Sequence, residues 1–176
     1  METLILNDRQ IDTMLSEIAK KILSCHTDTK NLVIIGIKKR GIDLARRIEK
    51  KFSEIKNLSL PVGALDITLY RDDFKELFSQ PKLKKTEISF SIENKEVILV
   101  DDVLFTGRTV RAALDGIIDL GRPRLIRLAV LIDRGYRELP LQADFVGMKL
   151  STALNQIVVV SLVEEDGKDE VILKDL

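Results

Sequence analysis

The chain of 176 residues holds 28 Lys plus Arg against 28 Asp plus Glu, so net charge gives it no general pull on polyanions; a local basic face remains open. One cysteine (Cys25) excludes an internal disulfide, and one histidine (His26) leaves a histidine triad or zinc site almost nothing to work with. A 45% hydrophobic content without a long apolar run describes a globular domain with no expected membrane span, long enough to bury roughly 70% of its extended surface.

The opening METLILNDRQ has no basic region followed by an apolar core, so no secretory signal is expected, and the lone cysteine suits a reducing cytoplasm. Asn7 or Asp8 can cap a helix whose apolar positions Ile11, Met14, Leu15, Ile18 and Ile22 follow three-and-four spacing. At its end, Cys25 reads as a helix residue and His26 as a solvated C-terminal one.

Residues 32–37, LVIIGI, read as a strand buried on both faces. Lys38-Lys39-Arg40-Gly41 then makes a tight basic loop before a helix carrying Ile42, Ala45, Ile48 and Phe52. Strand, basic loop and helix start together form an anion site, although three successive cations are often only a solvated corner.

Val62 to Leu69 reads as a further strand, leading to Tyr70-Arg71-Asp72-Asp73. From there to about residue 95 the sequence is polar and has no clear period, which suggests either a lid over a substrate or a solvated hairpin.

VILVDDVLFTGRTV at 97–110 organises the rest. Val97 to Val100 form a doubly buried strand that delivers Asp101 and Asp102 at its carboxyl edge. Thr106-Gly107-Arg108-Thr109 turns the chain into a helix whose free N–H groups, with the two hydroxyls, form an anion cradle. A P-loop is excluded, because no Lys follows the glycine in the required spacing. Two adjacent acids can hold ribose hydroxyls, a magnesium ion or a developing positive charge on carbon. The helix stripe is Val110, Ala113, Leu114, Ile117 and Ile118, ended by Gly121 and Pro123.

Leu125 to Ile132 is the next strand, with Asp133-Arg134-Gly135-Tyr136-Arg137 at its carboxyl end. QIVVVSLV at 156–163 is another strand, and an acidic turn centred on Gly167 leads to a closing strand at 171–173. Alternating strands and helices predict one α/β domain, a mostly parallel sheet flanked by helices, over 1–176. A small hood is expected from the N-terminal segment and about 133–160, and a flexible lid at about 71–95.

The 97–110 stretch resembles the signature of type I phosphoribosyltransferases: apolar strand, two acids, spacer, Thr-Gly, helix start. GIKKRG at 36–41, DITLYRDD at 66–73, VDDVLFTGRTVRAALD at 100–115, DLGRP at 119–123 and DRGYRELPLQADFVG at 133–147 resemble the PyrR family of bifunctional pyrimidine-operon attenuators with uracil phosphoribosyltransferase activity. That resemblance implies uracil and phosphoribosyl pyrophosphate (PRPP) as substrates, UMP and diphosphate as products, Mg²⁺ as cofactor, and a homodimer or higher homo-oligomer. It implies that Thr106, Gly107, Arg108 and Thr109 anchor the 5-phosphate while Asp101 and Asp102 hold the ribose. Lys38, Lys39, Arg40, Gly41 and Arg71 would grip diphosphate, and Asp133, Arg134 and Arg137 would lie near uracil.

Pyrimidine leader RNA is the second implied partner, with Lys20, Arg137, Lys149 and Thr152 as candidate contacts. This chain departs from the family there, since Ser16-Glu17 puts an acid on the first helix and Tyr136, Gln142, Met148 and Ser151 replace the expected histidine, arginine, lysine and proline. The expectation is an enzyme with weakened attenuation. The alternative is an RNA-binding regulator sensing UMP and UTP with minor activity, and a purine or orotate transferase is a third reading.

Overall fold

The computed structural model describes residues 2–26, 28–72 and 86–176. Its elements run β1 (Glu2–Asn7), α1 (Asp8–Cys25), β2 (Leu32–Ile37), α2 (Arg40–Lys56), β3 (Val62–Leu65) and a 3-10 turn (Thr68–Tyr70). After residue 86 come β4 (Glu96–Leu104), α3 (Arg108–Leu120), β5 (Leu125–Asp133), β6 (Phe145–Lys149), β7 (Gln156–Ser161), the single turn α4 (Val163–Asp166) and β8 (Glu170–Asp175).

Five strands pair in the order β3-β2-β4-β5-β6, all parallel. Successive residues of the central strands face opposite sides. Ile34, Ile98, Val100, Ala129 and Leu131 pack with α1 and α2, while Val33, Ile35, Val97, Leu99 and Val130 pack with Ala113 and Ile117 of α3. Each strand thus needs apolar residues at every position, which is why LVIIGI and VILV show no alternation.

The chain leaves β2 through α2 toward β3 on one side, and leaves β4 through α3 toward β5 on the other. The two crossovers diverge between β2 and β4. At such a switch point the loops at the strands' carboxyl ends part and leave a crevice. Lys38 to Arg40 follow β2 and Asp101 to Thr109 occupy the end of β4 and the turn after it, so the fold brings both motifs to that crevice.

A second sheet, β1-β8-β7, is antiparallel and joins the N-terminal segment to the C-terminal one. Phe145–Lys149, expected within the hood, instead forms the edge strand of the parallel sheet beside β5. Gly147 permits that pairing, because a Cβ there would stand 2.6 Å from the Leu131 carbonyl oxygen.

Several local expectations are corrected. The acid pair does not end its strand, since β4 continues to Leu104 and pairs with β5 as far as Asp133. The strand expected at 62–69 stops at Leu65, because Asp66 turns back to accept from the Thr68 amide and hydroxyl. QIVVVSLV yields its last two residues to the α4 turn. Ile118 is 64% exposed, one position beyond the stripe that Ile117 buries. His26 is buried, not solvated: its amide donates to the Leu23 carbonyl, Nδ1 lies 2.6 Å from the Ile22 carbonyl oxygen, and Nε2 lies 3.0 Å from Glu96. Asn7 caps α1 in a reciprocal box with Gln10, both bonds being 3.0 Å. Of the segment expected as a lid, residues 73–85 lie outside the described residues. Glu87 bridges antiparallel to Ala64 at the edge of β3.

Candidate active site

Two cavities open along the carboxyl edge of β2 and β4 and share Arg71, Val103 and Thr109 in their walls. The first, of about 310 Å³, lies over the turn Phe105 to Val110. Gly107 is the N-cap of α3 with φ +95°, a left-handed conformation that glycine adopts without a steric penalty. A Cβ on Gly107 would meet Leu139 and Leu141, and the Thr106 hydroxyl accepts from the first-turn amide of Arg108 at 3.4 Å. Arg108 stands exposed at the rim, bonded to Asp72 and to Glu138 at 2.6 Å.

The second cavity, of about 360 Å³, is lined by Lys38, Lys39, Arg40, Asp66, Arg71, Asp101 and Asp102, with Thr68 and Thr109. The two adjacent acids are not equivalent. Asp101 is 6% exposed, and burial, reinforced by the charge of Asp102, pushes its carboxyl well above the usual carboxylate range. Asp102 is half-buried on the cavity wall and accepts from the Val103 amide at 2.8 Å. The expectation of two like carboxylates at an open rim therefore becomes one enclosed acid and one accessible acid.

Among the basic residues, the Lys38–Lys39 peptide is cis, and Lys38 pairs with Glu87 at 2.9 Å. Lys39 is exposed at the N-cap of α2. Arg40 is held by both oxygens of Asp166 on α4, at 3.1 and 2.9 Å. Gly41 fits where no side chain would, since a Cβ would stand 2.5 Å from the Val100 carbonyl oxygen.

The loop after β5 lines a third cavity, of about 370 Å³, with Asp133, Arg134, Gly135, Arg137 and Lys149 in its wall. Arg137, expected near substrate or RNA, points into its own loop. It donates to the carbonyls of Phe105, Gly135 and Leu141 at 2.7, 3.0 and 3.1 Å and pairs with Asp133. Arg134 is buried with its guanidinium 4.1 Å over the Phe105 ring, its charge disfavoured by burial, and its Nε has no partner among the described residues. Of the other RNA candidates, Lys20 pairs with Glu17 at 2.7 Å, Thr152 Oγ1 is buried, and Lys149 is exposed.

Sequence reasoning missed Asp66, Thr68 and Asp166. Asp66 and Thr68 fall in a segment read as continuous strand, so nothing in the spacing marked them as cavity residues. Asp66 lines the second cavity with a buried Oδ2 that has no partner among the described residues.

The site thus pairs an anion cradle with an accessible acid and a cluster of cations at one sheet edge. The phosphoribosyl transferase domain family model matches residues 5–165, and the chain belongs to that family. Within it the chain falls in the PyrR group. It is 53% identical over 171 residues to the bifunctional protein PyrR of Deinococcus radiodurans, covering 97% of this chain and 93% of that one. To the bifunctional protein PyrR of Clostridioides difficile it is 47% identical, covering 97% of both. A hypoxanthine-guanine phosphoribosyltransferase of Bacillus anthracis shares the fold with a TM-score of 0.74 at 18% identity, covering 99% of this chain and 98% of that one.

Proposed function

We propose that this chain transfers the 5-phosphoribosyl group of PRPP to uracil, forming UMP and diphosphate. The observation that carries this reading is the pair of adjoining cavities at the β2–β4 divergence, which share Arg71, Val103 and Thr109. The Thr106–Thr109 cradle lines one, and Lys38, Lys39, Arg40 and Asp102 line the other. Transfer of this kind develops positive charge on the ribose carbon while the diphosphate leaves. The protein must therefore supply opposite charges at two places and little covalent chemistry.

The amide donors of the α3 N-terminus and the hydroxyls of Thr106 and Thr109 bind the 5-phosphate. Asp102 accepts from the ribose hydroxyls and stabilises the cationic ring, and Asp101, largely enclosed, orients it through the 3.0 Å bond from the Asp102 amide. Lys38, Lys39, Arg40 and Arg71 hold the diphosphate, and Gly41 lets α2 approach closely enough to present its first turn. Arg134, with an unused donor, is the group on the β5 loop suited to the base; Asp133 and Arg137 already satisfy each other.

Magnesium fits the donor set. Among the described residues no cluster of three or more ligating side chains can hold a metal alone, whereas Asp102 and the unpartnered Oδ2 of Asp66 offer the one or two carboxylates that Mg²⁺ takes when phosphates complete its shell. When bound it cancels charge on the leaving diphosphate.

RNA attenuation is weakened in this reading, because Arg137 is turned inward, Thr152 Oγ1 is buried and Lys20 is paired. The lone cysteine favours a cytoplasmic setting. Among the described residues no helix is long and apolar enough to cross a membrane.

Incubation with uracil, PRPP and Mg²⁺, followed chromatographically, is expected to yield UMP and to stop on chelation. Hypoxanthine and orotate are expected not to compete. Absence of UMP defeats the reading, and competition by either base moves it to another transferase.

A further inference from the structure

Arg40, a cation of the second cavity, has its orientation fixed by the second sheet's connector. Its Nε and Nη2 donate to Oδ2 and Oδ1 of Asp166. Asp166 is itself fixed, accepting from the Leu162 amide at 2.9 Å with its own amide donating back to the Leu162 carbonyl at 2.7 Å. The α4 turn carrying it is anchored to α2 a second time by Arg47, which bonds both Glu164 and Asp169. A guanidinium has five N–H donors in a planar fork. With one edge on a carboxylate, the Nη1 side remains to be presented elsewhere. Arg40 and Asp102 both line the second cavity, so a guanidinium held on its Asp166 side still belongs to the wall that carries the ribose acid.

We propose that Asp166 is a positioning residue for the diphosphate half of the substrate: it sets the Arg40 fork so that the free edge faces the cavity. This rests on the transferase reading for what the cavity binds. It makes the site composite, since the arm that meets diphosphate is aimed by a residue 126 positions away, on the connector between β7 and β8.

Two effects of Asp166 oppose each other. Its negative charge weakens the attraction of Arg40 for an anion, but that pair is partly exposed and its charge effect is screened. Releasing the fork frees a long side chain that then has to be reordered for every diphosphate bound, and a bidentate hold removes that loss beforehand. The second effect dominates, so loss of Asp166 weakens binding.

The test uses the full chain. Titration calorimetry with inorganic diphosphate and Mg²⁺ is expected to show about tenfold weaker binding for Asp166→Asn. In turnover, the KM for PRPP rises by a similar factor while kcat and the KM for uracil stay within about twofold. Asp166→Glu restores most of the affinity. Glu164→Gln removes one of the two carboxylate partners of Arg47 but leaves Asp169 on Arg47 and the Leu162 bonds of Asp166 in place, so diphosphate affinity stays within about twofold. In an Arg40→Ala background, Asp166→Asn has no further effect, and this comparison decides the matter if the single variant folds poorly. Unchanged diphosphate affinity in Asp166→Asn, equal loss in Glu164→Gln, or an additive loss in the double variant overturns the proposal. Diphosphate binding that depends on Asp166 in a protein that makes no UMP would sink the uracil reading and leave this one standing.

Discussion

The backbone N–H of Asp102 donates to the side chain of Asp101 at 3.0 Å, so the enclosed acid holds the strand position of the accessible one. Asp102→Asn is expected to lower kcat/KM for PRPP about 10²-fold, because it removes charge facing the ribose. Its melting temperature should stay near that of the parent.

Asp101→Asn should behave differently. The folded chain keeps a proton on Asp101 at pH values where the unfolded chain has released it, since burial raises this carboxyl. The stability this group contributes is therefore present at low pH and falls as pH rises through the window above the ordinary carboxylate value of about 4. An amide keeps the acceptor for Asp102 and has no proton to lose. At pH 8 Asp101→Asn should melt about 2–4 °C higher, the shift of roughly 1 kcal/mol in a domain of this size. The advantage should vanish below about pH 4. Equal melting temperatures at pH 8 would mean that Asp101 is not held out of water.

Gly41→Ala tests the close approach of α2 to the signature strand. The added Cβ would stand 2.5 Å from the Val100 carbonyl oxygen and 3.3 Å from Asp101 Cα, so α2 must retreat from the strand. Overpacking of this kind costs about 1–3 kcal/mol, and the melting temperature should fall by roughly 3–10 °C. Diphosphate affinity should drop with it, because the basic loop moves with the helix. Gly135→Ala serves as a control for backbone strain alone, since a Cβ there meets nothing within 4 Å while φ is +78°. It should lower the melting temperature and leave diphosphate affinity unchanged.

What was legible in the sequence was what chain neighbours decide. Val97 to Val100 are apolar without alternation because helices cover both faces, and Gly107 marks a turn that needs its left-handed backbone. The second sheet was not legible, since β1 meets β8 across almost the whole chain and nothing local in either predicts the pairing of Glu2 with Lys174. Phe145–Lys149 hid because it is a five-residue edge strand, only half-buried over Val146 to Met148 and interrupted by Gly147, so it shows neither a continuous apolar run nor a long alternation. Arg137 read as a free cation because a sequence does not reveal that Gly135 and Tyr136, at φ +78° and +57°, fold its loop back over the Phe105 carbonyl.

Arg137→Ala should therefore act on stability first. The truncation leaves the carbonyls of Phe105, Gly135 and Leu141 and the Asp133 carboxylate without their donor. Loss of hydrogen bonds to a partly buried charged group costs about 2–3 kcal/mol, or roughly 4–12 °C in melting temperature. Arg137→Lys should rescue little, because one ammonium cannot reach what a planar fork spans. A variant that melts like the parent but loses RNA affinity would return Arg137 to the RNA surface.

The strength of any RNA contact can be read from its salt dependence. Each phosphate neutralised on a single strand contributes about −0.7 to the slope of log affinity against log salt. With Arg137 turned inward and Thr152 Oγ1 buried, Lys149 and Lys20 remain as candidate phosphate contacts among the four, and Lys20 shares its charge with Glu17. Filter binding of pyrimidine leader RNA should then give a slope of about −1 to −1.5, and Lys149→Gln should flatten it by about 0.7. A slope near −4 or steeper, by the same roughly −0.7 per contact, would show several more phosphate contacts than these side chains offer, and the weakened attenuator would have to be abandoned.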